Sequence, residues 1–159
     1  MYPIDWLTPC RPSDAPAGSL LLASDTAAPM LRFDINGGQL AAPLDDVHPR
    51  PFIGVNVGRR HEPELIFLGE WSVRADPQTA FSSFSGIPET GHVFRLANGT
   101  TGFVITLDHS TIYVTTAGSV IPEQGLDLHA MFFRNWSIVA ELDRQLIALA
   151  TFGNEDEKS

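Results

Sequence analysis

Five histidines, His48, His61, His92, His109 and His129, are the side chains of this sequence best suited to acid-base or metal chemistry. A zinc centre needs three or four such ligands converging. Their spacing supplies no ready-made arrangement: His-x-His, His-Glu-x-x-His and the calcium-loop pattern are all missing from the sequence, so no metal site is expected. The single cysteine, Cys10, can form neither an intrachain disulfide nor a Cys-cluster zinc site. Nucleophile motifs are missing too. There is no Gly-x-Ser-x-Gly elbow, Ser82, Ser83 and Ser85 fall in an expected helix or its exit, and Ser137 lacks an adjacent base in sequence. Gly37-Gly38 lacks the following Lys-Ser/Thr of a phosphate loop, so no nucleotide or other cofactor is expected. Asp45-Asp46 and Glu70 with Arg74 read as solvated charges.

Four of the histidines have plain structural readings. His48, His61 and His109 fall in loops or turns, where His109 in particular tolerates a positive φ, and His129 sits beside Asp127 on a solvated strand face. His92 differs. Alternation along 92–96 and 103–114 places it on the core-facing side at the end of a strand, near Leu107. If the sheet closes on itself, Trp71, His92, Phe94 and Leu107 would line the mouth of an apolar pocket with one titratable group, a common design for small-molecule sites.

These groups must be positioned by short strands. Residues 1–18 form an arm whose prolines at 3, 9, 12 and 16 exclude helix and central strand. Ser19–Ser24 and Met30–Ile35 read as strands, and Asn36-Gly37-Gly38 supplies the positive-φ residues of a tight hairpin into Gln39–Ala42. Phe52–Val57 is another strand. Glu64–Arg74 reads as one long strand in which Gly69 marks a bulge or bend. Asp76 and Pro77 open a short helix over 77–84. Around the loop Asn98-Gly99-Thr100-Thr101, Leu96 is expected opposite Phe103 and Phe94 opposite Ile105, and a two-residue Asn98-Gly99 turn would change the partners but not the faces. A turn at Asp108-His109 sets Ile105 against Ile112 and Phe103 against Val114. One face then carries Phe94, Leu96, Phe103, Ile105, Leu107, Ile112 and Val114; the other, toward water, carries Arg95, Thr106, Thr111, Tyr113 and Thr115. Leu126–Phe133 is a further strand. Residues 137–152 fit a helix, by the spacing of Ile138, Leu142, Leu146 and Leu149, or a hairpin, because Val139–Ile147 echoes Val104–Ile112 at an offset of 35. The tail 154–159 is polar. Gly69-Glu70-Trp71 matches the Gly-x-Trp of the first lipocalin strand, yet it follows four expected strands, so no family resemblance is drawn.

The expected fold is a mainly β domain over 19–153, an antiparallel barrel or sandwich of about nine to eleven short strands with a helix at 77–84. At 159 residues, such a chain buries roughly two thirds of its extended surface and needs no staple. Its formal charge of −9 repels phosphate backbones and anionic membranes, and Arg59-Arg60 is its one basic pair, so neither nucleic acid nor membrane is an expected partner. With no signal-like start the protein is expected to be cytoplasmic, which leaves Asn98-Gly-Thr and Asn135-Trp-Ser as chance sequons. The functional expectation is a non-catalytic β binding or assembly module, self-associating through the arm or through edge strands. The alternatives are a β-barrel for a small apolar ligand, and a hydrolase or isomerase using His92.

Overall fold

A computed structural model describes residues 2–22, 29–46 and 50–153. His48 and the tail 154–159 lie outside the described residues. The chain is mainly β and its sheets are antiparallel. Three two-residue turns organise it, with both central residues at positive φ: Asn36-Gly37 (50° and 77°), Asp108-His109 (48° and 66°) and Asp143-Arg144 (51° and 64°). This geometry matches the right-handed twist of the strands it joins.

The first sheet runs β1 (Leu7–Cys10), β6 (Glu64–Phe67), β2 (Leu20–Leu22), β3 (Pro29–Ile35), β4 (Gly38–Pro43), β5 (Val55–Asn56). Leu20, Leu31, Phe33, Leu40 and Ala42 point to the main core, while Leu21, Met30 and Ala41 point to the opposite face. That second face is covered by the arm. Arg32, only 2% exposed, donates from Nε to the Pro12 carbonyl (3.0 Å) and from Nη1 to the Phe33 carbonyl and the Asp34 carboxylate (both 2.6 Å). Gln39 donates to the Ser13 carbonyl (2.8 Å), and Ala15 is buried beneath this strap. Earlier in the arm, β1 occupies a sheet edge, where Pro9 does not interrupt a central ladder. Tyr2 and Trp6 pack edge-on against Phe67.

The long strand expected over 64–74 divides at Gly69. Its first part, β6, belongs to the first sheet, and β7 (Trp71–Ala75) belongs to a third. A Cβ at Gly69 would meet the Phe67 ring at 2.5 Å, so the glycine lets the chain turn tightly past that ring from one sheet into the other.

The second sheet runs β12 (Val120–Ile121), β11 (Ser110–Thr115), β10 (Thr101–Leu107), β9 (Val93–Arg95), β13 (Met131–Phe133), β8 (Ala80–Ser82). The β10–β11 register is the expected one, Ile105 opposite Ile112 and Phe103 opposite Val114. The β9–β10 register is not. Phe103 faces Val93, Gly102 faces Phe94 and Thr101 faces Arg95. The connecting loop is the three-residue Ala97-Asn98-Gly99, closed by Leu96 N–H to Thr100 O (2.8 Å) and Gly99 N–H to Leu96 O (2.9 Å), with Gly99 at φ 90°. Both two- and four-residue loops give the opposite parity, so every side chain from 92 to 96 changes face. Phe94 and Leu96 therefore join Val104, Tyr113, Phe81 and Phe132 in a second core, and Tyr113 and Thr115 are buried instead of solvated.

The expected helix over 77–84 stops after one 3-10 turn, Pro77–Thr79. The Asp76 carboxylate caps it by accepting from Gln78 N–H (2.9 Å), but Ala80 is already extended. Thr79 Oγ1 accepts from Asn135 N–H, and Phe81 pairs with Phe132 across β8 and β13. Ladder bonds to β13 satisfy more backbone there than a two-turn helix would, since short helices are marginal without tertiary support. At the C-terminus the hairpin wins. β14 (Trp136–Leu142) and β15 (Gln145–Phe152) pair across Asp143-Arg144, forming the third sheet with β7 in the order β15-β14-β7. The 35-residue echo thus joins two hairpins with the same turn. Fifteen strands are named among the described residues, against the nine to eleven expected. All three sheets feed one core containing Phe33, Phe67, Phe103, Ile105, Trp136, Ile138 and Leu149. Among the described residues, no helix is long and apolar enough to cross a membrane.

Candidate functional site

Two glycines bring the first and second sheets into backbone contact. Asp34 N–H donates to Gly118 O (3.1 Å) across the junction, beside the Gly18 N–H to Arg32 O bond (2.7 Å) within the first sheet, and a side chain on either glycine would run into the other segment's backbone. On either side of this crossing the surface opens into a groove.

One groove, about 510 Å³, is bordered by Asp34, Asn36, Ser119 and Pro122. Its ionisable group, Asp34, is already neutralised by Arg32 at 2.6 Å. The other groove, about 450 Å³, lies between β7 and the ends of β10 and β11, bordered by Trp71, Ser72, Val73, Arg95, Thr101 and Thr116. Its composition follows from the register. Once Phe103 faces Val93, Arg95 lies on the main-core side, at the sheet's open end and opposite Thr101. Arg95 Nη1 donates to Thr101 Oγ1 (2.8 Å), while no ion pair among the described residues takes Arg95. An indole, hydroxyls and one cation can bind a molecule, but they include no general base.

The four residues expected to share a pocket are not brought onto one wall. Trp71 borders the Arg95 groove. Leu107 sits on the same face as Thr101 but at the other end of β10, six residues or roughly 20 Å away along an ideal strand. His92 and Phe94 face the second core, where the His92 ring meets Phe81 edge-on at 5.3 Å. Arg95, Thr101 and Thr116 were not foreseen as site residues. The signal available was Ala97-Asn98-Gly99 read as a three-residue loop with glycine at its left-handed position.

No family model, curated protein or solved structure matches this chain.

His92 is held in a structural setting through Nδ1 and its backbone. It is 8% exposed, its Nδ1 accepts from Glu89 N–H (3.0 Å), its own N–H donates to Glu89 O (3.0 Å), and its carbonyl accepts from Val104 N–H (2.9 Å). The ring proton consequently sits on Nε2. Burial pushes its pKa below the ordinary 6.5, with Glu89 opposing the shift and Arg134 adding to it. The unfolded chain then binds a proton at His92 more readily than the folded one, so stability is present above about pH 6.5 and falls as the pH drops below it. Urea melts at pH 7.5, 6.5 and 5.5 are expected to show this loss, and His92→Gln to flatten it. Identical slopes in both proteins would remove His92 as the cause. His61, His109 and His129 are exposed, His109 in its positive-φ turn and His129 with its N–H bonded to Asp127 Oδ1 (2.9 Å). Among the described residues, no group of three or more His, Cys, Asp or Glu side chains is placed to hold a metal ion.

Proposed function

We propose that the protein is a non-catalytic β module that acts by contact and assembles with a second copy of itself along β15. The observation that carries this reading is the contrast among sheet edges. An unpaired edge recruits another strand unless something blunts it. β1 contains Pro9, β5 and β12 are two residues long, β7 carries exposed Arg74, and β8 ends in a turn where Ser82 N–H is taken by Ser85 Oγ (3.1 Å). β15 differs from all five. It is eight residues long, Gln-Leu-Ile-Ala-Leu-Ala-Thr-Phe, without proline, glycine or charge.

Its bulge is at Leu149, which leaves Gln145–Ala148 regular, with Leu146 (48% exposed) and Ala148 on one face. A second copy fits this edge for two reasons. An antiparallel strand paired with itself about a two-fold axis repeats the same contacts on both sides. A chain of net charge −9 repels its copy least along an uncharged strip. The arm, by contrast, is engaged with its own sheet, which favours the edge over the arm as the route to assembly. Phe84 and Ile87, 80% and 81% exposed, add apolar surface consistent with a contact role.

A ligand enclosed by the sheets would have to displace Phe33, Phe52, Phe103 and Trp136, each 3% exposed or less. An enzyme working through His92 would have to use a ring only 8% exposed and packed edge-on against Phe81, with Nδ1 already accepting from Glu89 N–H. Both alternatives are thereby disfavoured. Sedimentation equilibrium is expected to show a concentration-dependent dimer. Leu146→Lys with Ala148→Lys is expected to weaken dimerisation about tenfold or more while preserving the far-UV spectrum of the monomer. A monomer at every concentration up to roughly millimolar would overturn the proposal.

A further inference from the structure

We infer that the groove beneath Trp71 is a binding site for a small flat molecule carrying a carboxylate. The lining combines three chemistries that converge on such a ligand. Trp71 is half-buried at the groove wall and offers an aromatic surface to an apolar body. Ser72, Thr101 and Thr116 contribute hydroxyls, which donate to an anion as readily as they accept. Among the described residues Arg95 is the only ionisable side chain of the lining, in a chain with 19 acidic residues against 10 basic.

Thr101 holds one guanidinium nitrogen and leaves the rest of the fork available, the geometry that receives two carboxylate oxygens side by side. The contrast with the neighbouring groove is informative. There the acid is compensated by Arg32, whereas here no described carboxylate pairs with the cation. The fold places Arg95 at this spot through a defined loop, and Thr101 directly opposite limits how far the guanidinium can wander. A neutral ligand would use the indole but leave the charge without a partner, so discrimination between an acid and its amide is the signature of the site.

The test uses the full chain labelled with nitrogen-15 and two probes, 2-naphthoate and its uncharged isostere 2-naphthamide, followed by proton–nitrogen correlation spectra. Naphthoate is expected to shift the Trp71 indole and Arg95 Nε signals saturably, with naphthamide about tenfold or more weaker. Trp71→Phe assigns the indole signal among the three tryptophans. Arg95→Gln is expected to bring the two probes level, and Arg95→Lys, which keeps the charge without the fork, to fall between. Unchanged amide positions away from the groove report that both variants fold. Equal affinity for the two probes, an Arg95→Gln variant that still prefers naphthoate, shifts confined to another surface, or no saturation by either probe would overturn the inference. None of these outcomes bears on pairing along β15, which is read by sedimentation.

Discussion

Gly118→Ala is expected to abolish cooperative folding, while Gly37→Ala, at nearly the same φ, lowers stability by only about 1–2 kcal/mol. The comparison separates backbone strain from steric exclusion. Gly118 has φ 80° and Gly37 has φ 77°, so an alanine at either position meets a similar left-handed penalty. Around Gly37 no atom lies within 4 Å of the added Cβ. At Gly118 the same Cβ would enter the backbone of the opposing segment, overlapping Gly18 N and lying 2.7 Å from Ala17 C and 2.8 Å from Arg32 O. No side-chain rotation relieves a clash with backbone.

Relief requires the two segments to part, which breaks Asp34 N–H to Gly118 O, or else displaces Arg32 O and the Gly18 N–H bonded to it. Buried groups left without partners cost about 1–3 kcal/mol each. The Arg32 bond to the Pro12 carbonyl lies beside the same contact, so the arm is expected to loosen with it. Urea melts followed by circular dichroism, with limited proteolysis of the arm as a second readout, check both variants. If Gly118→Ala loses no more stability than Gly37→Ala, the crossing does not clamp the two sheets.

What the sequence discloses depends on how far apart the interacting residues are. The Asn36-Gly37 and Asp108-His109 turns are local: the first closes the expected hairpin between β3 and β4, and the strands beside the second pair in the expected register. The C-terminal stretch shows why periodicity alone left helix and hairpin open. Ile138, Leu142, Leu146 and Leu149 suit a helical face, yet Leu146 is 48% exposed, and the bulge at Leu149 accommodates the remaining irregularity in a strand. The β9–β10 error came from one residue of loop length. Because side chains alternate, that single residue moved Phe94 into the second core and Arg95 to the groove.

Other features depend on contacts between distant segments. Arg32 alternates with Leu31 and Phe33 as a solvated residue would, and its burial follows from a strap of chain twenty residues earlier. Gly69 announced a bend, but the change of sheet it permits depends on β14 being available to β7. The Trp71 groove was half legible for this reason. Its aromatic member was expected at a pocket mouth, whereas its cation required the correct loop and its position beside Thr116 required the glycine crossing.

Trp136→Ala is expected to lower stability by about 3–5 kcal/mol, and Trp136→Phe by about 1–3 kcal/mol. Trp136 is 3% exposed at the junction of the sheets. Its ring lies edge-on to Phe52 (5.7 Å), tilted against Phe103 (5.3 Å) and stacked on Phe152 (5.8 Å), so it joins β10, β14, β15 and the segment after β4. Its Nε1 donates to the Gly91 carbonyl (2.8 Å), and Gly91, at φ 97°, has space for no Cβ because the Phe152 ring stands 2.7 Å away.

Phenylalanine keeps most of the ring contacts and removes the donor, so its expected effect measures the orphaned Gly91 carbonyl together with a small void. Alanine removes the shared wall for three aromatic neighbours, and their close packing prevents them from filling the space. Against a typical total of about 5–15 kcal/mol, the alanine variant is left near its threshold. Urea denaturation, with near-ultraviolet circular dichroism to follow aromatic order, gives both values. A loss under about 1 kcal/mol in Trp136→Ala would mean that the three sheets do not depend on a common core.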